Sequence, residues 1–92
     1  MSEETMLELL KIDIGITATA YDQRLLQYLK TAKANIEKEG VTLSDASPVD
    51  CDLIVRYAAY MWRKRDTGEG IPRMLRWEIN NRLFEKKEQT NG

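Results

Sequence analysis

Residues 47–65 read SPVDCDLIVRYAAYMWRKR, and this stretch decides the fold. Ser47 is a helix-capping residue, Pro48 suits the first helical position, and Asp50 completes a spacing close to that of a capping box. Apolar residues then recur at steps of three and four, which predicts one buried face on a helix that runs to about Arg65. The residues of that face are Val49, Leu53, Ile54, Tyr57, Ala58 and Met61.

The N-terminal region predicts a first, short helix from Ser2 to about Leu10. Thr5 and Glu8 have the spacing of a capping box. The residues that follow, Ile12–Ile16, alternate between apolar and other types, with Gly15 among them. We expect an extended segment here that fixes two isoleucines in the core.

A second helix is predicted from about Ala20 to Lys38. Asp22 lies near its start and Gly40 just beyond its end, as the helix dipole and a glycine C-cap require. Its apolar residues again recur at steps of three and four. They are Tyr21, Leu25, Tyr28, Leu29, Ala32 and Ile36.

The fourth helix is predicted to begin at Ile71-Pro72, after a glycine-bearing turn at Asp66–Gly70, and to end near Lys87. Leu75, Ile79 and Leu83 form its apolar face, and Glu88–Gly92 is predicted to be a frayed, flexible tail. Residues 1–92 are therefore expected to form a single all-α domain, a small bundle of about four helices with short loops.

Composition argues against most enzymes. The 92 residues include no histidine, the commonest general base and metal ligand, and a single cysteine, Cys51, which cannot form an internal disulfide or a zinc–thiolate set. We therefore expect no catalytic activity, no cofactor and no metal. The longest apolar run, Tyr57–Trp62, is too short to span a membrane, and the acidic N-terminus does not resemble a signal peptide. We expect a reduced cytoplasmic compartment and no membrane partner.

Charge is distributed unevenly along the chain, although the net charge is only −1. Residues 1–45 carry five lysines and arginines against eight acids, whereas residues 56–82 carry seven against three. Six of those seven are arginines, the cation best suited to forked contacts with carboxylates and phosphates. Two interpretations are open: an interaction surface for an acidic partner or a nucleic-acid backbone, or a solvated face with intrachain pairs to Asp50, Asp52 and Glu78.

Two tryptophans accompany these arginines. Trp62 lies off the line of Leu53, Tyr57 and Met61, which predicts that it points away from the core. Tryptophan and arginine are frequent hot spots of protein interfaces. The alternative is that Trp62 packs on the first helix and Trp77 on the third.

The third and fourth helices bear a family resemblance. Residues 57–65, YAAYMWRKR, followed by a glycine-bearing turn and by IPRMLRW at residues 71–77, resemble the head–tail connector (adaptor) proteins of long-tailed phages. Residues 9–17, LLKIDIGIT, followed by a helix with Asp22, Leu25 and Leu26, are similar to the opening of that family. The resemblance covers most of residues 6–84.

The resemblance implies a structural role in the virion, at the head–tail junction, for a protein made in the bacterial cytoplasm. Such proteins form a homo-oligomeric ring of about a dozen copies beneath the portal protein. The ring extends the DNA channel, lets packaged DNA pass without sequence-specific binding, and docks the next head-completion or tail protein. The candidate subunit or portal contacts that it implies are Trp62, Arg63, Arg65, Arg73 and Arg76.

A small helical DNA-binding or regulatory module is the alternative function. The third and fourth helices, joined by a tight turn, loosely resemble a helix-turn-helix. The recognition helix would be Pro72–Phe84. Its residues available for phosphates and bases would be Arg73, Arg76, Asn80 and Arg82.

Overall fold

The chain forms four α-helices in a computed structural model that describes residues 2–65 and 71–91. In chain order they are α1 (Glu3–Ile14), α2 (Asp22–Lys38), α3 (Pro48–Lys64) and α4 (Arg73–Asn91). The described residues contain no strand. The predicted all-α class is confirmed.

Helix α3 is the centre of the bundle, because α1, α2 and α4 all pack against it. The predicted cap is present: Asp50 N–H donates to Ser47 Oγ at 3.3 Å. Ala58 and Ala59 are fully buried, and their small side chains let neighbouring helices come close. Val49, predicted on the buried face, lies instead in the exposed first turn of α3.

Helix α1 is longer than predicted and has a different cap. Ser2 is its N-cap, with Thr5 N–H donating to Ser2 Oγ at 3.1 Å, so the expected Thr5 cap is wrong. The expected extended segment is also wrong, because the helix continues to Ile14 and ends at Gly15, whose φ is 75°. Ile14 packs against the core one turn after the buried Leu10, whereas Ile12 is 78% exposed.

Helix α2 agrees with the sequence prediction except at Tyr21, which was predicted on the apolar face and is an N-cap residue that is 50% exposed. Leu25, Leu29, Ala32 and Ile36 are buried, and Gly40, with φ 106°, donates its N–H to the Glu37 carbonyl at 2.9 Å. A Cβ at Gly40 would lie 3.2 Å from Leu83 Cδ2. The C-terminal end of α2 is therefore in close contact with α4.

Helix α4 contributes one narrow face to the core. Leu75 and Ile79 are buried and Leu83 is half-buried, as predicted. The helix extends to Asn91, beyond the predicted end at Lys87, so the predicted tail is helical up to that residue. The predicted turn at Asp66–Gly70 lies outside the described residues.

Candidate interaction surface

Three of the six arginines between residues 56 and 82 form ion pairs that connect α4 to the rest of the bundle. They are Arg56, Arg76 and Arg82. Arg56 of α3 donates to Asp52 at 2.9 Å, one turn earlier, and also to Glu78 of α4. Burial alone would lower the pKa of Arg56, but the hydrogen bonds and charges of Glu78 and Asp52 outweigh it and raise that pKa. Arg56 therefore stays charged and bridges the two helices.

A second ion pair links α4 to the first turn of α3. Arg82 donates to Asp50, the one buried charged residue among those described. The second carboxylate oxygen of Asp50 accepts the Ser44 N–H at 2.9 Å. Asp50 thus joins the start of α3, the preceding loop and α4, and both of its oxygens have a partner.

Arg76 makes the third ion pair of α4. It donates to Glu39, which directly follows α2, and both side chains are partly buried. Arg76 was a candidate for subunit or portal contacts, and the structure places it in an intrachain contact. The predicted pairs to Asp50, Asp52 and Glu78 are confirmed, and the Glu39 partner was not anticipated.

One further ion pair fixes the loop before α3. Lys33 of α2 donates to Asp45 at 3.1 Å. This hydrogen bond raises the pKa of Lys33, against a smaller lowering by burial. The pair is largely exposed, so it orients the loop more than it stabilises the fold.

Trp62 packs on the bundle instead of pointing away from it. Its ring makes edge-to-face contacts with Tyr21 and Tyr28, at centroid distances of 5.6 and 5.9 Å. The prediction that Trp62 points away from the core is wrong, because the side chain is partly buried against the core. The two tyrosines belong to α2 and its N-cap. Three helices pack against α3, so more of its circumference is buried than the single apolar face that the sequence periodicity predicted.

The end of α3 carries two of the remaining candidates. The guanidinium of Arg65 lies 3.8 Å from the Trp62 ring centroid and also donates to the Trp62 carbonyl. Arg63 is also exposed and donates to the Asp13 carbonyl of α1 at 2.9 Å. Both arginines lie at the surface, and each donates a hydrogen bond to a backbone carbonyl near the end of a helix.

An exposed apolar strip on α4 was not singled out from the sequence. Met74, Trp77 and Phe84 are 72%, 60% and 62% exposed, on the side opposite Leu75 and Ile79. Trp77, for which packing on α3 was the alternative, lies beside the start of α3 but stays largely exposed. The three exposed residues are separated by three and then seven positions, which places them on one side of a helix. That spacing could have revealed a second apolar face from the sequence.

We call the surface formed by Met74, Trp77, Asn81 and Phe84 the outer face of α4, with Arg73 at its edge. Arg73 is exposed and contacts no acid among the described residues. The exposed Val49 and Trp77 line an open pocket of about 540 Å³, whose other lining residues are polar or charged, among them Asp50, Asn81 and Arg82. Exposed apolar strips of this kind mark sites of protein contact.

A groove lies beside this surface. It has a volume of about 340 Å³ and lies between the end of α1, the second half of α3 and the start of α4. Asp13, Tyr60, Arg63 and Met74 are among its lining residues. The five candidates therefore separate into two groups. Arg63 lines the groove next to the outer face of α4, and Arg73 lies at the edge of that face. The other three make contacts within the chain: Trp62, Arg65 and Arg76.

The described residues contain no group of three or more side chains placed to hold a metal ion. None of the helices in the described part of the chain is long and apolar enough to cross a membrane.

Comparison with known proteins gives no match. No family model, no curated protein and no solved structure is significantly similar to this chain.

Proposed function

We propose that this chain is a structural subunit of a phage head–tail connector. It assembles into a ring of about a dozen copies beneath the portal, extends the DNA channel, and docks the next head-completion or tail protein. Two observations support the proposal: the sequence resemblance of residues 57–77 to that family, and the outer face of α4.

The outer face of α4 is the observation that carries the proposal. A large apolar side chain has an area of about 200 Å², so the exposed fractions of Met74, Trp77 and Phe84 leave roughly 390 Å² uncovered. That area is within the range of roughly 300–600 Å² found for the largest, often functional, patch of a monomer. Covering it would contribute about 10 kcal/mol before the costs of association. A partner protein is the simplest means of covering it.

The alternative, a DNA-binding module, receives less support from the geometry. Of the four residues proposed to read DNA, Arg76 and Arg82 are held in ion pairs within the chain. The outer face of α4, which would have to enter a DNA groove, presents Met74, Trp77 and Phe84. DNA-binding surfaces are polar and strongly positive, and this face carries one exposed arginine at its edge.

The charge distribution also suits a ring around DNA. Neighbouring copies in a ring meet through two different surfaces, and opposite charge on those surfaces helps to set their register. Such a difference exists between two helices at the surface, because Glu4 and Glu8 are exposed on α1 and Arg73 is exposed on α4. A net charge of −1 avoids strong attraction to DNA that must slide through the channel.

The test is to measure native mass and DNA affinity on the same sample. Light scattering is recorded over a wide concentration range at two salt concentrations, and duplex binding is measured by fluorescence anisotropy. We expect a discrete species near a dozen copies with little affinity for duplex DNA. A monomer or dimer that binds duplex tightly at low salt, and loses that affinity steeply as salt rises, would contradict the proposal.

A further inference from the structure

We infer that the outer face of α4 binds the outer face of α1 on a second copy of the chain. The outer face of α1 consists of Glu4, Glu8, Leu9 and Ile12. The inference rests on the proposed ring and goes further, because it names the two surfaces that meet.

The outer face of α1 is apolar and acidic. Ile12 is 78% exposed and Leu9 is also exposed, while Met6 and Leu10 point into the core. Within the described part of the chain, neither Glu4 nor Glu8 forms an ion pair. This face is therefore uncovered, with negative charge at its edge.

The two faces are complementary in charge and in spacing. On α1, Glu8 precedes the exposed Ile12 by four residues, and on α4, Arg73 precedes the exposed Trp77 by four residues. Residues four apart lie on one side of a helix. A parallel pairing of the two helices therefore brings Glu8 to Arg73 and Ile12 to Trp77 in one register.

Contact between two α1 faces is less favourable than contact between α1 and α4. Two α1 faces would bring acids together with no cation from this surface, whereas α1 against α4 pairs acids with Arg73. Both helices pack on α3 through their opposite sides, so the two faces stay available in the folded monomer. A contact between two different faces propagates from copy to copy and can close into a ring.

The experiment uses the double variant Glu8→Cys with Arg73→Cys, which leaves the apolar residues Ile12 and Trp77 in place, and each single variant as a control. The native thiol of Cys51 is fully buried and does not interfere. Each protein is treated with a short bis-maleimide and separated on a denaturing gel. We expect a ladder of dimers, trimers and larger products from the double variant, and monomer from each single variant.

Three results would overturn the inference. Dimers from Arg73→Cys alone would show that two α4 faces meet. No ladder from a double variant whose light scattering shows a ring would place the contact elsewhere and leave the proposed function standing. No ladder and no oligomer in the unsubstituted chain at high concentration would contradict both.

A charge exchange provides a second, independent readout. We expect Arg73→Glu and Glu8→Arg each to weaken association about tenfold, and their combination to restore most of it. Arg24→Glu is the matched control, because Arg24 is an exposed arginine of α2 that forms no ion pair with the described residues. Equal loss in the control, or no recovery in the combined variant, would refute the pairing.

Discussion

Removing the Arg82 guanidinium tests whether ion pairs hold α4 on the bundle. Arg82→Met keeps an unbranched apolar stem and leaves Asp50 with the Ser44 N–H as its remaining partner. The Asp50 and Arg82 side chains are 10% and 22% exposed, so water reaches the pair only partly. Breaking a fully buried pair costs about 3–5 kcal/mol, and a hydrogen bond to a charged group contributes about 1.5–3 kcal/mol. We expect a loss of about 2–3 kcal/mol, or roughly 10–20 °C in Tm for a domain of this size.

The assay is urea unfolding followed by circular dichroism at 222 nm. Arg24→Met is the control, since Arg24 is exposed, and we expect it to change stability by less than about 0.5 kcal/mol. In a double-mutant cycle with Asp50→Asn, the combined loss should fall short of the sum of the single losses by about 1–2 kcal/mol. A loss for Arg82→Met no larger than that of the control, or strict additivity in the cycle, would refute the reasoning.

Two glycine variants test the backbone of the fold, and two arginine variants separate folding from assembly. Gly15→Ala should lower the free energy of unfolding by about 1 kcal/mol, because a φ of 75° is strained for alanine although no atom lies within 4 Å of the added Cβ. Gly40→Ala should lower it further, because the added Cβ also contacts the Leu83 side chain. Thermal unfolding of both variants checks that order. Arg73→Glu should leave Tm unchanged and weaken association, whereas Arg76→Glu should lower Tm by facing Glu39 with a like charge; calorimetry and light scattering on each variant check the contrast.

The four helices could be predicted because their signals are local. Steps of three and four mark the buried faces of α2 and α4, and the Ser47-Pro48 pair marks the start of α3. The end of α1 was missed because Ile12, Ile14 and Ile16 also fit a strand alternation. Gly15 was taken to interrupt that strand, whereas it caps the helix.

The interaction surface was only partly predictable. The arginine-rich region was recognised, but the Arg76–Glu39 pair joins residues far apart in sequence, and no local pattern indicates it. The orientation of Trp62 depended on how many helices surround α3, which is a tertiary property. The outer face of α4 could in principle have been predicted from the sequence, because apolar residues on two opposite sides of a helix indicate a packing partner on each side.

The native mass of Trp77→Ser, measured by light scattering beside the unsubstituted chain, tests the central claim most directly. Trp77 is largely exposed, so the substitution should leave Tm within about 2 °C of the unsubstituted value. We predict a discrete species near a dozen copies for the unsubstituted chain and a monomer for the variant. Equal masses for the two proteins, with both folded, would contradict the claim that the outer face of α4 is the surface through which this protein assembles.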